Sequence, residues 1–516
     1  MITDLNLSLS PKEASSSKYY IVDVAQKLGV DINEITHITE RRCSIDARQR
    51  NIKINLSVRV YIGEEPIDEN VIRNYPDVSK APDILVVGSG PAGLFAALRL
   101  IENGFRPIIL ERGKDVRERK KDVAQIYRQH LVNPNSNYGF GEGGAGTYSD
   151  GKLYTRSKKR GNSRKILEVL VQFGANQNIL IDAHPHVGTD KLPRVIENIR
   201  KQIISSGGEV HFNTRVEDLL LKNKQCYGVK LANGDKLEAK AVILATGHSA
   251  RDVYEMLRHN DIKLETKSFA MGVRIEHPQA LIDSMQYKCK NRGEYLPAAT
   301  YAFAEQVNER GVYSFCMCPG GFIVPASTAP GEMVVNGMSP SLRNSAFANS
   351  GLVVEIKPED LSKYAKHGDF AGVEFQKETE RLCFKLNDGT QNAPAQRISD
   401  FVQGKKSKNF PDTSYRPGLV SSALHDELPQ NVASRLRIGI KQIDRKSKGF
   451  NTQEGIVAAV ESRTSSPLRI PRDKETLQHI QISGLYPCGE GAGYAGGIVS
   501  SAVDGERCAD AISNIF

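Results

Sequence analysis

A short apolar run that leads into a glycine-rich turn constrains the fold of this 516-residue chain more than any other feature. Residues 84–87 read Ile-Leu-Val-Val, which is typical of a strand buried on both faces of a parallel sheet. The turn GSGPAG follows at residues 88–93, then a predicted helix over residues 94–103 and a second strand over residues 107–110. This order of strand, glycine turn, helix and strand predicts a dinucleotide-binding βαβ unit.

Each glycine of the turn has a distinct role in holding a pyrophosphate. Gly88 permits the tight turn, Gly90 lets the backbone approach the phosphates, and Gly93 lets the helix lie close to the sheet. The pyrophosphate would sit on the helix N-terminus, where free N–H groups favour an anion. Glu111 ends the second strand, where a carboxylate would hydrogen-bond ribose hydroxyls and repel a 2′-phosphate.

Composition limits the class of protein. The chain is 40% hydrophobic and 25% charged, and no apolar run reaches the length that a bilayer requires. Its first residues lack the basic and then apolar pattern of a signal peptide, so we expect a cytoplasmic location and no membrane partner. The eight cysteines form no CxxC pair and no Cys/His zinc spacing, so neither a disulfide framework nor a metal site is expected.

The net charge of +9 includes a basic run at residues 156–160. Such a run is interpreted as a solvated face, with attraction to an anionic partner, such as a nucleotide phosphate or nucleic acid, as the alternative. No basic motif interleaved with aromatic residues supports nucleic acid, so we do not expect a nucleic-acid partner. The sequence indicates no particular oligomeric state.

A second glycine-rich stretch, residues 484–498, raises the question of whether the chain holds two dinucleotides or one. Together with residues 88–111 and the LATG of residues 244–247, it resembles the glutathione-reductase-like FAD-binding flavoproteins. In that group a late strand ends in Gly-Asp or Gly-Glu, and the acid approaches the ribityl chain of the flavin. The resemblance assigns this position to Glu490 and points a helix that starts near Ile498 at the flavin ring. It therefore implies one FAD held from both ends of the chain. No other strand–GxGxxG–helix unit is found in the sequence, so we expect no built-in Rossmann domain for NAD(P)H.

Four longer motifs sharpen the resemblance. They are FGEGGAGTYSDGKL at residues 140–153, GHSARD at 247–252, GVRIEHP at 272–278 and YSFCMCPGG at 313–321. They look like the bacterial FAD-dependent proteins often described as FAD-dependent or NAD-utilising dehydrogenases, whose inserted region is known as the FAD-dependent protein C-terminal domain. The resemblance covers nearly all of the chain beyond residue 83 and, more weakly, the N-terminal region through residues 44–48. It implies a fold and a cofactor, but no defined substrate.

The predicted fold class is α/β. It consists of a glutathione-reductase-like FAD-binding Rossmann domain with an inserted, mixed β-rich substrate domain and a small N-terminal α+β domain. In the N-terminal domain, residues 19–28 have helical spacing and residues 52–60 alternate as a half-buried strand. The predicted boundaries are 1–78 for the N-terminal domain, 79–265 and 456–516 for the two parts of the FAD-binding domain, and 266–455 for the inserted domain.

A loop from residue 139 to 151 carries five glycines within its first eight residues. Such a backbone can lie against a flat ring and offer N–H groups to flavin N5 and O4. The resemblance places this loop beside the isoalloxazine, with Ser149, Asp150 and Lys152 near the reacting face; a mobile surface loop is the alternative. The predicted FAD-binding residues are Gly88, Gly90, Pro91, Ala92, Gly93, Glu111, Arg112, Gly143, Gly144, Val216, Thr246, Gly247, Gly489, Glu490, Gly496, Gly497 and Ile498.

The predicted catalytic residues are Lys152, Arg274, Cys316 and Cys318. Lys152 would stabilise a developing anion or bind an acidic substrate. Cys316 and Cys318 alternate along a predicted strand, so both sulfurs would share a face and pass electrons through a disulfide, or else serve as structural thiols.

Other polar residues have open interpretations. Arg274 and Glu276 are expected on one strand face, either as a substrate clamp or as an internal ion pair. His277 is a candidate acid or base, with a structural role as the alternative. His184 and His186 have metal-like spacing but no third ligand in view.

These patterns predict an FAD-dependent oxidoreductase, a dehydrogenase or reductase that moves a hydride through flavin N5. Its partner is an unidentified small-molecule substrate, with NAD(P)H as a transient external donor. The alternatives are a flavin monooxygenase and a non-catalytic, flavin-bearing redox sensor in which residues 1–78 recognise a partner.

Overall fold

Three sheets of different design contain most of the strands in a computed structural model, which describes residues 1–67, 71–155 and 161–516. The basic run at residues 156–160 lies outside the described residues. Within the described ranges, no helix combines the length and the apolar character that crossing a membrane requires.

The first unit is an antiparallel three-stranded sheet covered by one helix. Its elements are β1 Ile2–Leu9, α1 Ser17–Leu28, β2 Ile35–Asp46 and β3 Lys53–Ile62. The strand order is β1-β3-β2. Leu56, Val58 and Val60 point from one face of β3 into a core that includes Tyr20 and Val24 of α1. The predicted helix and alternating strand in this region are confirmed.

The second region alternates strands and helices. Its elements are β4 Asp83–Val87, α2 Pro91–Glu102, β5 Arg106–Leu110, α3 Val116–Gln129, α4 Ser163–Gln172, α5 Leu192–Ser205, β6 Glu209–His211, β7 Val216–Lys222, β8 Gln225–Leu231, β9 Lys236–Glu238, β10 Val242–Leu244 and α6 Arg251–His259. Strands β7, β8 and β9 form a separate antiparallel sheet. The predicted hairpin is confirmed, because Gly234 has a φ of 95° in the turn between β8 and β9. The strand expected over residues 210–216 is instead divided between β6 and β7.

The third region is built around a seven-stranded sheet. Its elements are β11 Glu265–Thr266, β12 Phe269–Pro278, α7 Gln279–Tyr287, β13 Ala304–Val307, β14 Arg310–Cys318, β15 Phe322–Pro325, β16 Val335–Met338, β17 Phe347–Ile356, α8 Ala371–Lys385, β18 Ala393–Arg397, α9 Ile398–Gln403, β19 Leu419–Ser421, α10 Leu424–Glu427, α11 Gln430–Lys446 and β20 Ile456–Glu461. The order is β13-β14-β17-β12-β20-β18-β19, antiparallel except between β18 and β19. Strand β20 pairs with β12 and β18, so the predicted boundary at residue 456 falls too early.

The chain then returns to the parallel sheet. Its last elements are β21 Leu468–Arg469, β22 Leu485–Pro487 and α12 Ile498–Ser513. Strand β22 completes a five-stranded parallel sheet in the order β22-β10-β4-β5-β6. Strand β11, where the chain leaves the parallel sheet for the third region, pairs with β21, where the chain returns.

The register of the parallel sheet brings distant parts of the sequence together. Val87 pairs with Leu110 on one side and Leu244 on the other, and Leu244 pairs with Pro487. The turns that follow β4, β5, β10 and β22 therefore meet at one edge of the sheet. Helices α2 and α12 pack against each other, and Gly505 is close enough to the Ala92 backbone that no side chain fits there.

Candidate functional site

A cavity of about 380 Å³ opens at the carboxyl edge of the parallel sheet. The turns after β4, β5, β10 and β22 border it through Gly88, Glu111, Thr246 and Glu490. The edge lies where the chain order reverses around β4, and parallel α/β sheets bind ligands at such a switch point. Segments of the third region that contribute to the wall include Phe315, Cys316, Asn336, Arg463 and Thr464.

Most of the predicted FAD-binding residues meet in this cavity. Those that line it are Gly88, Gly90, Pro91, Ala92, Glu111, Arg112, Gly144, Val216, Thr246, Gly247, Glu490, Gly496, Gly497 and Ile498.

Three predicted cofactor residues lie behind the cavity wall. Gly93 packs on the Gly88 carbonyl, and a Cβ there would overlap it. Gly143 is crowded by Thr147 and Ile196. Gly489 donates its N–H to Asp504 Oδ2 at 2.8 Å. Their role is therefore to shape the turns rather than to line the site.

Gly90 differs from the other glycines of its turn. Its φ of −71° and ψ of −177° suit any residue. A Cβ added to it would meet nothing closer than Gly144 Cα, at 3.8 Å. Gly88, in contrast, has a φ of 102° and a backbone oxygen of Ala245 only 2.6 Å from the position of a Cβ. The fold itself requires Gly88 but not Gly90, so the space in front of Gly90 fits a ligand that approaches the backbone.

Two helix N-termini face the same cavity. Helix α2 begins after Gly90 and helix α12 after Gly497, and neither has a side-chain cap. The first turn of each also lacks an acidic residue. Uncapped N–H groups and the helix dipole favour negative charge, so both ends suit an anionic or electron-rich ligand.

Glu111 is fully engaged by protein donors. Its Oε2 accepts hydrogen bonds from the N–H and hydroxyl of Ser89, at 2.9 and 2.7 Å. Its Oε1 accepts from the N–H groups of Gly113 and Gly141, at 2.9 and 3.0 Å. The carboxylate thus fixes the glycine turn against the glycine-rich loop, in addition to bordering the cavity. This structural function was not expected from its position after the strand.

Arg112, the next residue, lies over the Phe140 ring, with the guanidinium carbon 4.3 Å from the centroid. It also pairs with Asp252 at 2.9 Å. Both Phe140 and Asp252 line the cavity.

The glycine-rich loop is held in the interior rather than on the surface. Arg119 of α3, which is fully buried, donates to the carbonyls of Asn137, Tyr138 and Glu142 at 2.7 to 2.8 Å. The surface-loop alternative is therefore wrong.

The far end of the loop is tied to the third region. Asp150, which is fully buried, pairs with Arg343, and Arg343 Nε lies 3.1 Å from Asp150 Oδ1. Lys152 lines the cavity, and its ammonium group donates to the Met317 carbonyl. Asp150 and Lys152 thus bring the loop and strand β14 together at the cavity wall.

Cys316 lies at an irregularity in β14. The pairing with β17 shifts register between Phe315 and Cys318, and Cys316 has a φ of 45°. Positive φ is rare for residues other than glycine and is concentrated at functional sites. The bulge turns Cys316 to the cavity, whereas Cys318 is fully buried behind it.

The surroundings of Cys316 favour its thiolate. A side-chain hydrogen bond from Cys318, together with the charges of Lys152 and Arg274, holds the pKa of the Cys316 thiol well below its usual range, against the opposing effect of burial. Burial and the Cys316 thiolate raise the pKa of Cys318. Cys318 Sγ donates to the Cys316 carbonyl oxygen at 3.3 Å, which holds the two residues in one turn of the bulge.

Arg274 has a different partner from the one expected. It pairs with Glu461 of β20 at 3.2 Å and donates to Asn349 Oδ1 at 2.9 Å. Its Nη2 lies 2.7 Å from the Cys316 carbonyl oxygen and 3.3 Å from Cys318 Sγ. Arg274 is fully buried and does not line the cavity, so it acts as a positioning residue. Cys318 is also buried outside the cavity, and neither residue can contact a substrate directly.

Glu276, the expected partner of Arg274, is also buried. It accepts hydrogen bonds from the hydroxyls of Thr413 and Ser414 instead. The predicted Arg274–Glu276 pair is therefore wrong.

The histidines separate into two groups. His277 is fully buried, its Nε2 lies 2.8 Å from the Phe450 carbonyl oxygen, and burial lowers its pKa to about 4, so its role is structural. His186 Nε2 lies 3.1 Å from the Ser341 carbonyl oxygen, which also indicates packing. His248, which had not been selected from the sequence, lines the cavity.

His248 and Glu490 form the polar end of the cavity. Nδ1 of His248 lies 3.6 Å from Glu490 Oε1, and its Nε2 lies 3.1 Å from the Arg463 carbonyl oxygen. Burial and the charge of Arg463 lower the pKa of His248 to about 4, which leaves the imidazole neutral. Burial raises the pKa of Glu490 to about 7. The only sequence signal for His248 is its place after Gly247, at the end of a buried strand.

One group of potential metal ligands lies together in the part of the chain that the structure describes: Cys488, Asp504 and Cys508. Asp504 is already paired with Arg472, whose Nη1 lies 3.0 Å from Oδ2. Arg472 also donates to the Pro487 carbonyl at 2.6 Å. The guanidinium supplies the positive charge in this cluster, which therefore fits an internal ion pair better than a metal site.

Family models match most of the chain. A model described as FAD-dependent protein, C-terminal domain-like matches residues 268–464, one for an FAD dependent oxidoreductase matches residues 189–305, and one for an FAD binding domain matches residues 83–125. A domain of unknown function matches residues 1–61. The domains beyond the N-terminal unit are thus those of an FAD-dependent redox enzyme.

Individual relatives and solved structures are similar to all or part of this chain. An uncharacterized protein of Clostridium beijerinckii is 40% identical over 535 aligned positions, which cover 100% of this chain and 98% of that protein. The thiamine thiazole synthase of Thermotoga maritima is 24% identical, over 42% of this chain and 73% of that protein. A crystal structure of a geranylgeranyl bacteriochlorophyll reductase-like protein of Thermoplasma acidophilum is 13% identical, over 84% of this chain and 78% of that chain, with a TM-score of 0.35.

Proposed function

The chain belongs to the family of the uncharacterized Clostridium beijerinckii protein and is an FAD-dependent oxidoreductase, and we propose which part of its cavity holds the cofactor and which part meets the substrate. One FAD is held at the carboxyl edge of the parallel sheet. The substrate meets it at the wall that carries Lys152 and Cys316. The observation that carries this proposal is the ligand-sized gap in front of Gly90, in a cavity bordered from both halves of the sequence.

The dinucleotide end of the cofactor fits the first glycine turn. Its pyrophosphate would accept a hydrogen bond from the first free N–H group of α2, at Ala92, which lines the cavity and where no side chain competes for it. Glu111 and Arg112 then border the ribose of the adenosine. This arrangement is the glutathione-reductase-like one, with an FAD-binding domain interrupted by the substrate domain.

The flavin end fits the opposite part of the cavity. The N-terminus of α12, Gly144 and Glu490 surround that part, and the uncapped helix end would stabilise negative charge on the ring. When bound, FAD supplies a two-electron acceptor and donor at its N5 atom. Glu490, with its pKa raised to about 7 by burial, can hold a proton at its carboxyl oxygen near neutral pH.

The substrate side is built from charged side chains held by the third region. Lys152 keeps two N–H donors beyond its bond to the Met317 carbonyl, and it can bind an acidic group or stabilise a developing anion. Asn336 adds an amide at the same wall. Asp150, paired with Arg343, fixes the loop that carries Lys152.

The electron donor is proposed to be NAD(P)H that binds only transiently. In the described ranges, a parallel strand, a GxGxxG turn and a helix follow one another at residues 83–102 and again at residues 485–513, and both turns border the same cavity, so no second dinucleotide site remains for the donor. The donor would therefore use the open side of the flavin cavity rather than a Rossmann domain of its own.

An anaerobic titration tests this proposal. We would record the visible spectrum of the purified protein, add NADH or NADPH, and follow bleaching of the flavin absorbance. Rapid bleaching by either compound is the expected result. A protein that cannot be loaded with FAD would contradict the whole proposal, whereas bound flavin that stays oxidised with both compounds would contradict only the nicotinamide donor.

A further inference from the structure

Cys316 and Cys318 have an arrangement that packing alone does not require. Cys316 is the cysteine that lines the cavity, and it lies in left-handed backbone conformation at a break in the β14–β17 pairing. Cys318 Sγ donates a hydrogen bond to the Cys316 carbonyl oxygen at 3.3 Å, and Arg274 Nη2 donates to both that oxygen and Cys318 Sγ. An extended strand would separate alternate residues by nearly two full residue lengths, whereas a bulge shortens this distance and re-aims the side chain.

We propose that Cys316 and Cys318 form a redox-active dithiol that transfers electrons between FAD and a small disulfide-containing substrate. This inference rests on the proposed function, because it uses the same cavity and the same cofactor. It assigns the substrate class and separate roles to the two sulfurs. Cys316 is the exchanging thiol at the cavity, and Cys318 is the resolving thiol behind it.

The surrounding charges support this division of roles. The ammonium of Lys152 and the guanidinium of Arg274 both favour a thiolate at Cys316, and Arg274 also donates to Cys318 Sγ at 3.3 Å. Glu461 pairs with Arg274 at 3.2 Å and holds it in this position. A thiolate is the nucleophile in disulfide exchange, and a neighbouring cation makes it available at neutral pH.

The first half of the proposed exchange oxidises the dithiol. The Cys316 thiolate attacks one sulfur of the substrate disulfide, so a mixed disulfide forms, the substrate S–S bond breaks and one half leaves as a thiolate. Cys318 then loses its proton and attacks the Cys316 sulfur. The Cys316–Cys318 bond forms, and the second half of the substrate leaves as a thiol with that proton.

The second half restores the dithiol. Two electrons and one proton from the reduced cofactor break the Cys316–Cys318 bond and regenerate a thiolate at Cys316 and a thiol at Cys318. The nicotinamide donor supplies these electrons to the cofactor. The net reaction reduces one disulfide to one thiolate and one thiol for each nicotinamide oxidised, and the thiolate takes up a proton from solvent.

Reductive titration of the FAD-loaded protein provides the first test. After oxidation with glutathione disulfide and removal of the excess, wild type should take up about four electrons from dithionite for each FAD, two for the flavin and two for the disulfide. Cys316→Ser should take up about two, whereas Cys318→Ser lacks the resolving thiol and should instead keep one glutathione in a mixed disulfide at Cys316, detected by intact mass. Cys289→Ser is the matched control, because Cys289 is a partly exposed thiol outside the cavity, and it should behave as wild type.

Mapping of the thiols provides the second test, which does not depend on activity. The sulfurs of Cys488 and Cys508 lie within 4.8 Å of each other, so the electron count alone does not identify the pair. After the same oxidation, alkylation and digestion without reductant should yield a peptide with Cys316 and Cys318 linked and unalkylated. Cysteines that are both alkylated, or a disulfide at Cys488 and Cys508 instead, would overturn the proposal.

The FAD site and the redox-active dithiol can be refuted separately. If wild type cannot be loaded with FAD, the proposed FAD site is wrong. If wild type binds FAD, takes up only about two electrons and keeps both Cys316 and Cys318 alkylatable, the dithiol is refuted while the oxidoreductase assignment stands. Retention of flavin by the serine variants serves as their folding control.

Alkylation at different pH values checks the electrostatic basis. The rate of Cys316 alkylation by iodoacetamide in wild type should already be near its plateau at neutral pH. Cys318→Ala removes the hydrogen bond to Cys316 and should move the midpoint of that profile to higher pH, whereas Cys318→Ser keeps a donor and should move it less. Identical profiles in all three proteins would contradict the assigned thiolate.

Discussion

Substitution of Gly90 should separate cofactor binding from folding. The backbone at Gly90 has a φ of −71° and a ψ of −177°, which valine adopts readily. A Cβ at this position would have only Gly144 Cα within 4 Å, at 3.8 Å. The folded apoprotein therefore has room for the Cβ that Gly90→Val introduces, but that atom would occupy the space through which a bound pyrophosphate approaches the backbone.

The two effects have different expected sizes. Gly90 is the N-cap of α2, and replacing a good N-cap residue costs about 1 kcal/mol of stability. Because valine restricts the unfolded chain more than glycine does, the substitution regains about 0.4–1 kcal/mol. The free energy of unfolding of the apoprotein should therefore change by less than about 1 kcal/mol. Overpacking at the ligand contact costs about 1–3 kcal/mol, so the Kd for FAD should rise by about 5-fold to 150-fold.

Gly93→Ala is the matched control. A Cβ at Gly93 would overlap the Gly88 carbonyl and lie 3.2 Å from Val86 Cγ1. Because backbone rather than solvent occupies that space, this variant should lose about 3 kcal/mol of unfolding free energy even without cofactor. Urea denaturation of the apoproteins measures stability, and flavin absorbance after dialysis against known FAD concentrations measures affinity.

The comparison has a clear refuting result. If Gly90→Val purifies with a full complement of flavin and wild-type affinity, the pyrophosphate does not lie at this turn. If Gly90→Val instead unfolds as readily as Gly93→Ala, the free space in front of Gly90 belongs to the packing of the protein and not to a ligand.

Three further substitutions test the cavity wall. Lys152→Met should raise the pKa of Cys316 by about one unit or more, which thiol alkylation at different pH values measures; an unchanged profile would mean that Lys152 does not act on the thiol. Asp150→Asn leaves Arg343 without its buried partner and should cost about 3 kcal/mol in urea denaturation, and a loss no greater than that of a surface substitution would contradict the pair. Burial raises the pKa of Glu490 in the folded protein to about 7, above its ordinary value of 4.5, so the folded apoprotein keeps a proton that the unfolded chain releases, and stability is lost as pH rises through this interval. Glu490→Gln should remove that loss, worth at most about 3 kcal/mol because about a quarter of the side chain stays exposed, and parallel pH–stability curves would refute it.

The sequence was most informative where structure depends on neighbouring residues. The apolar run of β4, the glycine turn and helix α2 follow one another within 20 residues, and each is confirmed. The same holds for α12, which begins at Ile498 as expected. Glycine spacing and a continuous apolar run are local signals, so they predict both the elements and the place where a dinucleotide binds.

Side-chain partners across long separations were not predictable in the same way. Arg274 was expected to pair with Glu276, two residues away, but pairs with Glu461, 187 residues away, because β20 lies beside β12 in the sheet. Alternation along a strand indicates which side chains share a face, but the neighbouring strand decides which of them meet. The position of β20 beside β12 therefore explains two errors: the domain boundary predicted at residue 456 and the missed Arg274–Glu461 pair.

The bulge at Cys316 is a further feature with no local signal. A positive φ is usually signalled by glycine or asparagine, and a cysteine in that conformation is held by its surroundings. Those surroundings include Arg274 on β12 and Lys152 on the glycine-rich loop, which approach from different parts of the chain. The sequence motif therefore identified the two thiols but not the geometry that distinguishes their roles.

The cavity combines two kinds of construction, and this difference predicts how the site fails. Its cofactor side consists of backbone turns and helix ends, which the hydrogen bonds of the parallel sheet hold in place. Its reactive side consists of side chains that are held across two regions by ion pairs, such as Asp150 with Arg343 and Arg251 with Glu380. Loss of the Asp150–Arg343 pair should displace Lys152, two residues along the chain from Asp150, without altering the glycine turn. Damage to the ion pairs should therefore change thiol reactivity before it changes FAD affinity, whereas damage to the turn should do the reverse.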